Sequence, residues 1–149
     1  MPLQDKKGFR YVSHTADVAF IAYGSTTAEL ISNSLYAMFG IMYDAKKLDT
    51  SMSPRRSIRL SVSANDIEEL LWAALQKALS LSAARFLFPY RVVSSTTSRR
   101  GKKVSFRAVM DAVEKSEAAA LFEVKGVSRY SLRITESNGV LSSKVVLDV

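Results

Sequence analysis

The sequence predicts an α+β fold of two layers, a mixed and mostly antiparallel sheet with two helices packed on one face. Three observations lead there. Two stretches carry apolar residues at helical spacing behind capping signals, short segments beside them alternate with the period of a strand, and the second half of the chain reads almost entirely as strands. A length of 149 residues suits one domain, taken as 1–149, and 48% hydrophobic residues suffice to bury a sizeable core. That composition excludes wholesale disorder.

The first clear element is the apolar, β-prone run from Val18 to Tyr23, a strand buried on one or both faces and broken by Gly24. Thr26 and Glu29 then have the spacing of a capping box, so a helix starts there. Its apolar residues Leu30, Ile31, Leu35, Met38, Phe39 and Met42 form one stripe, and Gly40 weakens its end. After a polar stretch ending in Ser53-Pro54-Arg55, Ile58, Leu60 and Val62 alternate as in a strand. In the second helix, Asn65 is placed to cap and Asp66, Glu68 and Glu69 put negative charge at the positive end of the dipole. Ile67, Leu70, Leu71, Ala74, Leu75, Ala78 and Leu79 follow at intervals of three and four, a core-facing stripe. Phe86 to Ser95 and Lys103 to Val113 read as strands joined by a Ser/Thr/Arg-rich turn containing Gly101. Val127 to Ile134 and Leu141 to Leu147 read as a last hairpin around Ser137-Asn138-Gly139.

Composition also bounds function. No apolar run approaches the roughly 20 residues of a membrane-spanning helix, and the opening MPLQDKKGFRY has no apolar core of a signal peptide. The absence of cysteine excludes disulfides and thiolate-bound zinc or iron–sulfur clusters. A cytoplasmic protein fits these features. The formal charge of +7 attracts polyanions, which makes RNA, DNA or a nucleic-acid-bound partner plausible. The basic residues fall in two tracts, Lys46, Lys47, Arg55, Arg56 and Arg59, then Arg91, Arg99, Arg100, Lys102, Lys103 and Arg107. Neither tract has the interleaved aromatics of a base-stacking platform, so solvated loops and sheet edges are the plainer reading.

Chemistry has few places to sit. His14 is the only histidine, and no G-x-S-x-G elbow, phosphate-binding loop or G-x-G-x-x-G turn accompanies it. The segment Ser13-His14-Thr15-Ala16-Asp17-Val18 sets a histidine and a carboxylate just before a buried strand, and Asp148 closes a very apolar one. Separately, Asp17 reads as a turn cap and Asp148 as a solvated terminal acid. If the last strand pairs near the first, Asp17, Asp148 and the α-carboxylate of Val149 supply several hard oxygen ligands. Such a set suits Ca²⁺, Mg²⁺ or Mn²⁺ rather than zinc or copper.

These residues resemble the archease family over nearly the whole chain. The resemblance is carried by Tyr11, His14-Thr15-Ala16-Asp17-Val18, Ala22-Tyr23-Gly24, Thr26 and Ala37-Met38-Phe39, and by the ending Val146-Leu147-Asp148-Val149. Asp66-Ile67-Glu68-Glu69-Leu70-Leu71 and Glu123-Val124-Lys125 are similar to two further family segments. The chain departs from the pattern at Ala73, Ala74 and Gln76 of the second helix, and at Gly126, Ser128 and Tyr130.

The resemblance implies a non-enzymatic accessory protein of the RtcB-type tRNA-splicing ligase, which joins RNA ends using GTP and Mn²⁺. Archeases promote guanylylation of that ligase's active-site histidine and support its multiple turnover. It further implies a divalent metal, calcium foremost, held by Asp17, Asp148 and Val149. His14 then orients Asp17 through a hydrogen bond, and Lys125 is a candidate contact with the partner. Two other readings stay open at this stage. One is a metal-dependent phosphoesterase or nuclease, which would release phosphate with Mg²⁺ or Mn²⁺. The other is a basic RNA-binding module, which would bind RNA with a steep salt dependence and no need of metal.

Overall fold

The computed structural model describes residues 8–12, 17–48, 54–130 and 132–149. Strand β1, Phe9–Val12, pairs antiparallel with β2, Val18–Gly24, from Phe9↔Ala22 to Val12↔Ala19. The sequence offered no signal for β1, which is four residues long and buries only Phe9. Helix α1, Thr27–Met42, follows. Thr26 caps it as the capping box predicts, its Oγ1 accepting from the Glu29 amide at 3.1 Å. The reciprocal bond lands one residue earlier, with the Ser25 amide donating to Glu29 Oε1 at 3.0 Å.

Strand β3, Arg56–Ala64, leads into helix α2, Ile67–Arg85. The cap of α2 is Asp66 rather than Asn65. Asp66 is the extended residue before the helix, and its carboxylate accepts from the Glu69 amide at 2.8 Å. Strands β4, Leu87–Arg100, and β5, Lys103–Glu114, form a long hairpin. The stretch expected to be a Ser/Thr/Arg-rich turn is therefore strand. Its residues from Ser94 to Arg100 pair in register with Val109 to Lys103, leaving only Gly101 and Lys102 to reverse the chain. Gly101 has φ +64°, a conformation glycine adopts without strain. Phe86, expected in the strand, is instead the left-handed residue ending α2.

The last expected hairpin divides. Val127 to Ile134 is not one strand but two, β6, Gly126–Val127, and β7, Arg133–Ser137, both pairing with β8, Val140–Asp148. The turn between β7 and β8 forms as expected, with Asn138 and Gly139 at φ 53° and 79°.

The class is α+β, with the strands distributed over two sheets. The first orders β1-β2-β8, with β7 and β6 along the far edge of β8; the second orders β3-β5-β4. Every described pairing is antiparallel. Helix α1 joins the sheets, packing on β2 of one and β4 of the other, while α2 packs chiefly on β3. Side chains of α1 reach both ways. Asn33 Nδ2 donates to the Tyr23 carbonyl at 2.7 Å, and the Tyr36 hydroxyl accepts from the Val92 amide at 2.9 Å.

One apolar cluster runs through both layers. Phe20, Leu35 and Met38 contribute from the first sheet and α1; Leu60, Leu71 and Phe106 contribute from the second sheet and α2. Each such fully buried side chain stabilises by about 1.5–3 kcal/mol. No helix among the described residues is long and apolar enough to cross a membrane.

Candidate functional site

The site the sequence singles out lies where β2 begins and β8 ends. Their ladder runs from Gly24↔Leu141 to Val18↔Leu147. One further step of this register brings Asp17 opposite Asp148, and directly opposed residues of an antiparallel pair share a sheet face. The last pair on that face is Ala19↔Val146, both buried, so the two aspartates continue a tightly packed sheet beyond its apolar part. Asp148 is exposed, whereas Asp17 and Val149 are half-buried.

The other edge of β8 completes the arrangement. Gly126 pairs with Asp148, and the Lys125 amide donates to the Asp148 carbonyl at 2.7 Å. Lys125 is exposed beside the acidic end. Sequence reasoning thus picked four residues, Asp17, Asp148, Val149 and Lys125, that the fold gathers at one end of the first sheet. The fifth, His14, lies outside the described residues.

Among the described residues, no group of three His, Cys, Asp or Glu side chains comes together in a way that could hold a metal ion. Asp17 and Asp148 make two carboxylates, fewer than such a group. Their side-chain donors are all oxygen and anionic. That chemistry fits a hard divalent cation and does not fit a thiophilic one. A cavity of about 850 Å³ beside α1, lined in part by Tyr23, Glu29, Asn33 and Tyr36, contains none of these residues.

Helix α2 fixes this end through the side chains of Glu68, Trp72 and Gln76. Gln76 Oε1 accepts from the Val127 amide at 2.7 Å, and Trp72 Nε1 donates to the Val127 carbonyl at 2.9 Å. Glu68 Oε2 accepts from the Ile134 amide at 2.8 Å. Arg129 lies over the Trp72 ring at 4.5 Å and within 3.9 Å of Glu69. Glu68, Trp72 and Gln76 recur every fourth residue, a polar row beside the core stripe. That row is the signal the sequence carries for these bonds, and Gln76 in it is also a departure from the family pattern. Together these bonds hold the segment carrying Lys125 against β8.

Residues 9–149 match the model of the archease protein family. The protein archease of Methanosarcina barkeri is 30% identical over 145 residues, 96% of this chain and 97% of its own. That of Methanosarcina mazei is 28% identical over 151 residues, covering the whole of both chains. The archease-like protein of Dictyostelium discoideum is 26% identical over 147 residues, 96% of this chain and 94% of its own. Among solved structures, protein 1598 of Methanobacterium thermoautotrophicum superposes with a TM-score of 0.77 at 25% identity, covering 96% of this chain and 99% of that one. An archease of Thermotoga maritima, described as a possible chaperone, has the same fold, with a TM-score of 0.60 at 18% identity over 94% of this chain and 96% of its own.

Proposed function

Because the chain belongs to the archease family, we propose that it is a non-enzymatic, metal-binding accessory protein that activates an RtcB-type tRNA-splicing ligase in the cytoplasm. On this reading it promotes guanylylation of the ligase and its multiple turnover in RNA joining. The observation that carries the reading is the β2–β8 register, whose last pair, Val18↔Leu147, is one step short of Asp17 and Asp148. Asp17, Asp148 and Val149 would hold Ca²⁺, Mg²⁺ or Mn²⁺, with His14 orienting Asp17. When bound, the cation supplies concentrated positive charge at the rim of the sheet. Asp17 and Asp148 keep it there, and Lys125 meets the ligase. The sequence carries no phosphate-binding loop, which accords with a protein that acts on an enzyme rather than as one.

The test is ligase guanylylation and turnover measured with and without the protein at limiting metal. Asp17→Asn keeps the shape of the side chain and removes its charge. It is expected to fold normally, lose at least about tenfold in Ca²⁺ or Mn²⁺ affinity, and activate the ligase poorly. Full activation by this variant at limiting metal would remove Asp17 from the site. Turnover of RNA ends or GTP by the protein alone would overturn the accessory role.

A further inference from the structure

Phe86 is unusual on two counts. The residue is 71% exposed, and with φ 60° and ψ 45° it occupies the left-handed position ending α2, where glycine or asparagine normally sits. The exposed ring gains little from burial, and the left-handed backbone of a non-glycine residue disfavours the folded state. Strain of this kind gathers at functional sites. The backbone holds the ring in place. The Phe86 amide donates to the Ser82 carbonyl, and the Phe86 carbonyl accepts from the Lys115 amide at 3.0 Å.

Around the ring lies a cavity of about 800 Å³ lined by Arg55, Arg56, Arg85 and Lys115, with Glu114 as its one acidic side chain. Lys115 Nζ stands 5.7 Å from the centroid of the Phe86 ring. Arg55 and Arg56 are more than half exposed and make only long ion pairs, 3.9 Å to Asp111 and 3.7 Å to Glu114. Arg85 and Lys115 form no ion pair among the described residues. The first basic tract has no aromatic residue along the sequence, but the fold brings it one from thirty residues further on.

We propose that this pocket binds single-stranded nucleic acid, with phosphate oxygens held by Arg55, Arg56 and Arg85 and a base stacked on Phe86. Arginine's planar fork matches phosphate geometry, and an open ring accepts the face of any base. A duplex keeps its bases stacked inside and offers none to the ring. An acidic peptide would engage the cations and leave the ring unused. The proposal is independent of the ligase and metal readings, since it concerns the isolated protein without metal.

The test is fluorescence anisotropy of a short labelled oligouridylate with the isolated protein in EDTA over a range of salt concentrations. Binding is expected to weaken linearly in log–log form with salt, and Arg55→Gln or Arg85→Gln each to lower the slope by about one. Phe86→Gly relieves the backbone strain, so its melting temperature should not fall, yet its affinity should drop about tenfold with the salt slope unchanged. Phe86→Trp should bind at least as tightly as the parent. Undiminished binding by Phe86→Gly would overturn the proposal. So would equal competition by an RNA duplex or by poly-glutamate.

Discussion

At the scale of single residues, Gly40 shows what a linear reading misses. Read along α1 it weakens the helix, yet the helix continues through it to Met42. The reason comes from another element. The Tyr11 hydroxyl donates to the Ala37 carbonyl at 2.9 Å, and a Cβ on residue 40 would stand 2.5 Å from that hydroxyl oxygen. Gly40→Ala should therefore destabilise the protein, although alanine favours an isolated helix by about 1 kcal/mol. In Tyr11→Phe the nearest ring atom lies at 3.8 Å, so the same glycine substitution should there become stabilising. Urea unfolding of the four proteins checks the change of sign.

Tyr11 also has a pH signature. Burial pushes its hydroxyl from 10.0 up to about 12, and burial raises Tyr43 as well. The folded protein holds these protons more tightly than the unfolded chain does. The Tyr11 contribution is therefore complete below pH 10 and is lost as pH rises through about 12. Tyr11→Phe should show a shallower fall of melting temperature across that interval, and an identical slope would contradict the assignment.

At the scale of elements, legibility followed how local each signal was. Both helices and the Asn138-Gly139 turn were readable because capping, periodicity and positive-φ chemistry all lie within a few residues. The cap of α2 was read one residue early, since Asn65 and Asp66 are both good caps and only the backbone decides between them. Asp66→Ala should lower stability by about 1 kcal/mol, and Asn65→Ala by much less, in the same denaturant titration. The β4–β5 ribbon was read short because serine, threonine and arginine suggest a turn until a partner strand is present to pair with them. The break between β6 and β7 was invisible for the opposite reason. Side chains of α2, far away in sequence, capture backbone groups at Val127 and Ile134.

At the scale of the whole molecule, the two sheets differ in how the chain builds them. The second sheet and α2 come from one continuous run, residues 56–114, whereas the first draws on segments 9–24 and 126–148 from either side of that run. The candidate site sits where those flanking segments meet. The sequence could offer it only conditionally, as two separate acidic motifs that become a site if β8 lies beside β2. The basic pocket could not be read at all, because Arg55, Phe86 and Lys115 approach only across the second sheet.

The pairing of β2 with β8 has a consequence in time. It closes nearly the full length of the chain, so it is expected to form late in folding and to open first when the native protein breathes. In native-state hydrogen exchange, amides of β3, α2 and β5 should be the slowest, and those joining β2 to β8 should exchange through a lower-energy opening. A cation bound between Asp17 and Asp148 would stitch that seam shut. At a hundred times its dissociation constant, Ca²⁺ should slow exchange along β2 and β8 by up to about 100-fold while leaving amides limited by more local openings nearly unchanged. Uniform protection, or none, would count against a cation at the seam.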